Sequence, residues 1–392
     1  MGETQIKTTT INFGPQHPSA HGVLRLVLEM DGEVIERADP HIGQLHRGTE
    51  KLLEHKTYIQ GLPYMDRMDY VNALSFEHGF SMAVEKLLGI EIPRRAQFIR
   101  VMYLELSRLL KHIFTAGFAS LDTGLMAPSV WGFEHRERIM EFIEAACGAR
   151  FHTNYIRPGG VAVDIPEGLL EKVEAWTYTF EKDFQAVVRL TLHNRIFKQR
   201  MVNIGRVTKE EALSMGFSGP NLRASGVPWD LRRAQPYEVY DELDFDVITA
   251  KTGDSYDRFV VRVGEVAESL KIIRQVIKMM PEGPVKVDDH RISPPKRAKI
   301  KESMEELINH FKYFSEGFRV PAGETYSAVE VPSGEFGVYM ISDGSNKPYR
   351  VKLRVTGFSH LQSIMHIAKG HMLADAVGIM GVVDIVFGEI DR

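Results

Sequence analysis

Two histidines in an irregular loop are the first residues of this sequence that could do chemistry. His17 and His21 lie within residues 14–22, whose two prolines and two glycines exclude both helix and regular strand. The pair therefore does not match the helical two-histidine zinc arrangement. A histidine in such a loop can donate a hydrogen bond or a proton near pH 7. The alternative is a loop histidine that bonds only to backbone.

A short acidic and phenolic run follows at residues 67–70, where the pattern predicts the start of a helix. Asp69 suits the positive end of the helix dipole, and that capping role is the alternative to a functional one. Tyr70 offers a phenol, which can donate a hydrogen bond to a carbonyl oxygen and supply a proton to it. Together these residues could line a pocket.

Asp122 is the second candidate carboxylate, in a weakly polar stretch over residues 119–131. A carboxylate is costly to bury unless it is paired, and a histidine partner would satisfy it. The alternative is an ordinary loop or cap aspartate. Arg47 and His152 could place positive charge near a redox centre and raise its potential, but from the residues alone ordinary surface charge is the favoured interpretation.

Composition excludes several classes of function. The chain has 392 residues and a formal net charge of −4, whereas a nucleic-acid binder is usually basic. Its one cysteine, Cys147, cannot form an internal disulfide or an all-cysteine metal site, and it suggests a reducing compartment. Gly159-Gly160 lacks the spacing of a phosphate-binding loop, so a nucleotide site is not expected.

The sequence predicts no membrane-spanning helix, because no stretch of about 20 residues is apolar throughout. Residues 1–10 carry neither a signal core nor an arginine-rich presequence. We therefore expect any association with a membrane to go through partner proteins.

The elements that must position these residues are mostly helical. Alternating apolar residues predict strands over 8–38, with a tight turn at Asp31-Gly32, and over 325–356. Residues 216–256 read as loop, and Thr208 with Glu211 forms a capping-box signature. Apolar spacing predicts helices over residues 46–60, 67–88, 96–118, 133–146, 167–192, 263–277, 304–318 and 358–369. The expected class is α+β, mostly α, with β-sheet elements near both ends.

Eight strings spread along the chain closely resemble the 49-kDa subunit family of respiratory NADH:quinone oxidoreductase (complex I). They are NFGPQHPSAHGVLRL (12–26), PHIGQLHRGTEKL (40–52), MDRMDY (65–70), NYIRPGGV (154–161), FKYFSEGF (311–318), GEFGVY (334–339), KGHMLAD (369–375) and DIVFGEIDR (384–392). The resemblance is specific because several strings are long and chemically unusual. The segment GLMAPSVW (124–131) departs from the commoner family form, so the lining near the pocket is expected to differ.

The resemblance implies the fold of the large subunit of nickel–iron hydrogenases. The hydrogenase motif RxCGxC falls on residues 67–72, and Asp69 and Asn72 replace its thiolates. The motif DPCxxCxxH falls on residues 384–392, where Val386, Glu389 and Arg392 replace its ligands. No metal or cluster is therefore expected on this chain. The implied regions are an N-terminal β region with the site loop (1–40), a helical core (41–320) and a C-terminal β/α region that closes the former metal cavity (321–392).

The resemblance also implies a site for quinone, expected to be ubiquinone, as substrate. His21 and Tyr70 would hold the headgroup, Asp122 would pair with His21, and His17 and Asp69 would lie in the same cavity. The residues expected to flank the terminal iron–sulfur cluster of a neighbouring subunit are Arg47, Arg67 and His152. Protons would come from Tyr70 and the His21–Asp122 pair, and their loss would unbalance the site and start the coupling to proton pumping.

The implied partners are the iron–sulfur subunit that carries this cluster, the 30-kDa-type subunit and the membrane subunit at the quinone entrance. The implied location is peripheral, on the matrix side of the mitochondrial inner membrane or the cytoplasmic side of a bacterial plasma membrane. An active hydrogenase is disfavoured by the missing thiolates. The remaining alternative is a non-catalytic scaffold subunit of a hydrogenase-related membrane complex.

Overall fold

The structure, a computed structural model, describes residues 8–392. Of the predicted N-terminal β region, residues 1–7 lie outside the described part. Helices account for 53% of the chain and strands for 13%, which confirms the expected mostly-α class. The strands are β1 (Thr9–Phe13), β2 (Arg25–Asp31), β3 (Val34–His41), β4 (Ile156–Arg157), β5 (Gly160–Val161), β6 (Gly323–Val331), β7 (Gly334–Ser342) and β8 (Arg350–Arg354).

The helices form the body between two three-stranded sheets. They are α1 (Thr49–Leu53), α2 (Tyr58–Met65), α3 (Ala73–Leu88), α4 (Arg94–Asp122), α5 (Met126–Cys147), α6 (Leu169–Leu192), α7 (Arg195–Met201), α8 (Lys209–Ser214), α9 (Gly219–Ala224), α10 (Leu231–Ala234), α11 (Ser255–Met279), α12 (Arg297–Glu302), α13 (Met304–Ser315), α14 (Thr356–Ile367), α15 (Leu373–Val383) and α16 (Phe387–Ile390).

The N-terminal sheet joins the two ends of the chain. Its strands pair antiparallel in the order β1-β2-β3, with the predicted turn at Asp31-Gly32. Ile35 of β3 donates to the carbonyl of His371 and accepts from the amide of Gly370. Side chains of this sheet share one apolar core with α14 and α15. The loop with His21 is therefore held close to the C-terminal helices.

The central helix α4 organises the helical core. It is buried along nearly its whole length and packs against α5, α11 and α15. Apolar side chains of α4, α5, α6 and α11 form the largest core cluster. The second sheet, β6-β7-β8, packs on α3 and shares a core with it. A side chain on α4 can thus be enclosed from several sides.

Several predicted boundaries are wrong. The helix predicted over 67–88 begins at Ala73, because Asp69 accepts from the backbone of Val71 in a turn that competes with helix. The single helix predicted over 46–60 is two helices, since Thr57 and Gln60 form a capping box that starts α2 afresh. The capping box predicted at Thr208 and Glu211 is confirmed.

Other differences arise where no helix was predicted. Residues 14–22, from which helix was excluded, contain a 3₁₀ turn at Pro18–Ala20, where proline suits the first position. The predicted loop over 216–256 contains the short helices α9 and α10 and a 3₁₀ turn at Tyr240–Glu242. The apolar residues after 370 form α15 and α16. No helix found within residues 8–392 is both long and apolar enough to span a membrane.

Candidate functional site

A buried lysine between two aspartates forms the centre of the candidate site. Lys111 lies on α4, and its Nζ is 3.3 Å from Asp69 Oδ2 and 3.2 Å from Asp384 Oδ1. Lys111 and Asp69 have no exposed surface, and Asp384 is almost fully buried. Asp69 comes from the turn before α3 and Asp384 caps α15. Three distant segments of the chain therefore meet at one ammonium group.

Charge balance within this cluster sets which groups are ionised. Burial acts to lower the pKa of Lys111, but Asp384 and Asp69 outweigh burial and hold this pKa above its ordinary value. Burial acts to raise the pKa of Asp384, and Lys111 outweighs it, so Asp384 stays ionised. Burial raises the pKa of Asp69 despite Lys111. Burial and the nearby Asp69 raise the pKa of Glu389 to about 8, so Glu389 holds a proton at neutral pH.

The C-terminal segment, residues 384–392, closes the cluster from one side. Asp384 has a φ of 63°, a left-handed conformation that a short polar side chain tolerates. Glu389 Oε1 accepts from Thr356 Oγ1 and Gly357 N, both at 2.9 Å. Gly388 packs so closely on the backbone that a Cβ there would lie 2.3 Å from the carbonyl oxygen of Met68. This segment therefore fixes the turn that carries Asp69 and Tyr70.

His21 and Tyr70 flank the cluster with accessible side chains. Tyr70 is 44% exposed, and burial of its remainder raises the pKa of its phenol. His21 has a φ of 49° and an accessible surface, yet the surrounding protein lowers its pKa to about 4 by desolvation. The charges of Lys111 and Asp384 act on both side chains. The structure thus brings His21, Tyr70 and Asp69 around one cluster, with His21 neutral at pH 7.

Asp122 lies at the last position of α4, beside α15. A Cβ at Gly381 would lie 2.6 Å from Asp122 Oδ2, so this carboxyl rests on the α15 backbone. Burial alone raises the pKa of Asp122 to about 6. His21 and Asp122, both within the described residues, make no hydrogen bond or ion pair with each other here. The turn that precedes His21 also contacts α15, so the two side chains approach one helix.

His17 is turned toward its own loop. Its Nδ1 accepts from the amide of Ser19 at 3.2 Å, and its ring lies 4.3 Å from that of Phe13, between centroids. The side chain caps the 3₁₀ turn at Pro18–Ala20 and is exposed. In this structure His17 therefore makes the backbone contact that the sequence left as the alternative.

Three exposed basic side chains surround the backbone just before Asp69. Arg47 Nη2 donates to the carbonyl of Arg67 at 3.0 Å and to that of Gly388 at 2.9 Å. Arg67 Nη1 donates to the carbonyl of Pro63 at 2.7 Å. His152 Nδ1 lies 3.2 Å from the carbonyl of Asp66. The sequence-predicted trio of Arg47, Arg67 and His152 is thus brought together on one accessible surface.

A buried carboxylate that sequence reasoning missed holds the segment that follows His152. Glu77 accepts from the amides of Tyr155 and Ile156 and from Thr153 Oγ1, at 2.7–2.8 Å. Burial raises the pKa of Glu77 well above its ordinary value, and the nearby Asp66 carboxyl adds to the effect. Glu77 therefore holds the segment after His152 in place by neutral hydrogen bonds.

The residues present do not fit a nickel–iron centre. The cavity positions offer Asp69, Asn72 and Glu389 instead of thiolates, and Lys111 already supplies a cation between the carboxylates. Cys147 stands elsewhere, and burial raises the pKa of its thiol, so it is a poor ligand. Within residues 8–392, no group of three or more suitable side chains could hold a metal ion.

Lys111, Asp384 and Glu389 were not among the site residues predicted from sequence. A weak signal existed for the lysine, since Lys111 and His112 together interrupt an apolar run, LLKHIF, in the middle of a predicted helix. A buried lysine there needs a carboxylate partner.

A separate hollow of about 400 Å³ lies beside the C-terminal segment and is lined in part by His46, Glu50 and Phe358. None of His21, Tyr70 or Asp122 lines this hollow.

The chain is mostly helical, and Asp69, Asn72, Val386 and Glu389 stand where the resemblance places thiolate ligands. The family described as the 49-kDa subunit of respiratory-chain NADH dehydrogenase matches residues 122–392. This chain belongs to that family.

Relatives match over almost the full chain, and each is named as a subunit of NADH-quinone oxidoreductase. The relative from Acidiphilium cryptum is 59% identical over 383 residues, which cover 98% of this chain and 94% of that protein. The relative from Paramagnetospirillum magneticum is 60% identical over 392 residues and 100% of both chains. The relative from Wolbachia pipientis wMel is 58% identical over 387 residues and 99% of both.

Proposed function

We propose that this core subunit of respiratory NADH:quinone oxidoreductase binds quinone and holds it for reduction beside His21 and Tyr70. The observation that carries the proposal is that two accessible hydrogen-bond donors stand against one buried charge cluster. A quinone offers two carbonyl oxygens, and each can accept one hydrogen bond from these side chains. We propose that a neighbouring subunit completes the pocket over the exposed surface of Tyr70.

The electrons for this reaction come from a partner. Arg47, Arg67 and His152 form an accessible basic surface close in sequence and space to Asp69 and Tyr70. We propose that this surface binds the iron–sulfur subunit, which places its terminal cluster beside these side chains. The further proposed partners are the 30-kDa-type subunit and the membrane subunit at the quinone entrance, with ubiquinone as substrate. The complex would sit with this chain peripheral, on the matrix or bacterial cytoplasmic side.

The proposed proton donors differ in their protonation at pH 7. Tyr70 is protonated at pH 7, so its O–H can pass a proton to a quinone oxygen as two electrons arrive. His21 is neutral and offers one N–H, which can orient the second carbonyl. Asp122, with a pKa of about 6, can exchange a proton near neutrality. A His21–Asp122 pair would have to form on binding of quinone or partner.

The assembled complex with Tyr70→Phe tests the proposal. We expect NADH:quinone reductase activity to fall about a hundredfold, because removal of a general acid costs that much or more. NADH oxidation by an artificial acceptor that bypasses the quinone site should be unchanged. Tyr349→Phe is the matched control, since Tyr349 is a tyrosine that is 66% exposed just before β8 of the second sheet.

If Tyr70→Phe leaves both rates intact in fully assembled complex, Tyr70 is not at the reducing site. The chain would then be better described as a scaffold subunit. Loss of both rates together with loss of assembly would also count against a role confined to the quinone.

A further inference from the structure

We infer that Lys111 is a positioning residue of the quinone site, which holds Asp69 and Asp384 in place and supplies the positive charge that supports proton donation by Tyr70. This inference rests on the proposed function. It adds a residue that lies on α4, away from the loops that carry His21 and Tyr70.

The geometry ties Lys111 to the site itself. Its Nζ lies 3.2–3.4 Å from carboxylate oxygens of Asp69 and Asp384, and the side chain has no exposed surface. Asp69 directly precedes Tyr70, and Asp384 begins the segment that closes the cluster. A single buried ammonium thus joins both chain segments on which the recess depends.

The other charged groups around Lys111 do not replace it. Glu389 faces it from the C-terminal segment, and Arg262 of α11 acts on Asp384. Three buried polar atoms, Asn72 Nδ2, Asp384 Oδ2 and Glu389 Oε2, lack a hydrogen-bond partner among the described residues. The cluster therefore has free hydrogen-bonding capacity on the carboxylate side. Within the cluster, Lys111 is the positive charge that acts on Tyr70. It lowers the pKa of the phenol, whereas Asp69 and Asp384 raise this pKa.

The consequence is electrostatic. When two electrons reduce the quinone and the O–H bond of Tyr70 breaks, the proton forms one O–H bond of the hydroquinone monoanion and a phenolate remains beside the cluster. The two electrons of the reduction come from the established NADH oxidation. A fixed ammonium stabilises that phenolate, because a prearranged charge in a partly dry site acts strongly where new charge develops. Lys111 keeps its own proton, since the carboxylates hold its pKa above the ordinary value.

The test compares Lys111→Gln with Lys111→Arg in assembled complex. Glutamine still donates hydrogen bonds to the carboxylates but carries no charge, whereas arginine keeps the charge. In Lys111→Gln we expect kcat for quinone reduction to fall about tenfold or more, with KM nearly unchanged. In Lys111→Arg we expect kcat to return most of the way to the wild-type value. Lys86→Gln, at an exposed lysine of α3, is the control and should change neither constant.

A double-mutant cycle with Tyr70→Phe separates this role from a merely structural one. If Lys111 acts through the phenol, Lys111→Gln should change the residual rate of the Tyr70→Phe complex by much less than it changes the wild-type rate. Equal effects in both backgrounds would overturn the inference. So would a wild-type kcat in Lys111→Gln while Tyr70→Phe is impaired, an outcome that leaves the quinone site itself intact.

Should Lys111→Gln fail to assemble, Lys111→Gln combined with Asp384→Asn removes one charge of each sign and relieves the unpaired carboxylate. The inference then requires a low kcat in this double variant and, again, a much smaller effect in the Tyr70→Phe background. A wild-type kcat would reject it.

Discussion

Asp122 is a half-buried carboxylate whose ionisation opposes folding. It ends α4 against the backbone of Gly381, and burial alone raises its pKa to about 6. Because this pKa is raised, the protonated form favours the folded state. That contribution is fully present below the ordinary pKa near 4 and is lost as pH rises through about 6. At neutral pH the ionised carboxylate therefore weakens the fold.

Asp122→Asn should separate the two effects. We expect the melting temperature of the purified complex at pH 7.5 to stay equal or rise, and the difference from wild type to shrink at pH 5.5. Quinone reductase activity at pH 7.5 should fall about tenfold or more if Asp122 exchanges protons with the site. Scanning fluorimetry and the two NADH oxidation assays measure this.

Asp288→Asn, at a loop carboxylate whose side chain is 97% exposed, is the matched control and should leave both quantities unchanged. Unaltered quinone reduction by Asp122→Asn at every pH would place Asp122 outside the proton path.

The residue types at the candidate site could be predicted from the sequence, but most of the side chains that pair with them could not. Tyr70, His21 and Asp69 offer donors and carboxylates in unusual local sequences, and the resemblance of those strings points to them. Lys111 lies 42 positions after Asp69 and far before Asp384, so nothing local links the three. The packing of α4 against both α3 and α15 brings them together. The pairing of His21 with Asp122 stays a prediction.

At the scale of elements, the contact between the C-terminal segment and residues 67–68 fixes the recess. The Gly388 backbone lies against the carbonyls of Arg67 and Met68, and Arg47 bonds to carbonyls on both sides of this contact. A side chain at position 388 would meet backbone, which cannot move aside as a flexible side chain can. The turn with Asp69 and Tyr70 would have to shift.

Gly388→Ala should therefore lower quinone reductase activity and destabilise the chain by about 1–3 kcal/mol, as overpacking does. The matched control is Gly378→Ala within α15, where an added Cβ has no heavy atom within 4 Å apart from the nearby backbone of its own helix. That change should stabilise by up to about 1 kcal/mol, because alanine favours helix more than glycine does. Thermal inactivation of assembled complex measures both. A Gly388→Ala complex as stable and active as wild type would contradict this account of the contact.

Elements with strong periodicity were predictable, and those decided by side-chain bonds were not. The helices α4, α6 and α11 and the hairpin of β2 and β3 follow from apolar spacing and from Asp31-Gly32. The turn before α3 does not, because the position of Asp69 is set by Lys111 on another helix. The three predicted regions, 1–40, 41–320 and 321–392, stay predictions. Regions 1–40 and 321–392 are in contact, since the β2–β3 hairpin shares its core with α14 and α15.

At the scale of the whole molecule, buried ion pairs tie the second sheet and the helical core together. Arg223 of α9 lies 2.6 Å from Glu265 of α11 and 2.7 Å from Glu330 of β6, and all three are buried. Glu265 also lies 2.8 Å from His112 of α4. Such networks add little to the free energy of unfolding when they are complete. Removal of one member is costly, because it leaves a buried charge without a partner.

Arg223→Met should lower the free energy of unfolding by about 3–5 kcal/mol, because it strands two buried carboxylates. Arg291→Met is the control, since Arg291 pairs with Asp289 with its own side chain 80% exposed, and such surface pairs contribute about 0–1 kcal/mol. The yield of assembled complex and its thermal midpoint measure the difference. Equal losses in the two variants would show that the buried network is not important for stability.

The bond from the amide of Gly43 to Asp391 joins positions 348 residues apart. At typical rates of translation, roughly 20 to 70 s separate the synthesis of these two residues. During that interval the loop with His21 has left the ribosome, while the segment that encloses the lysine cluster does not yet exist. Biogenesis therefore has an order, in which the helical core can form before the C-terminal segment closes the proposed recess.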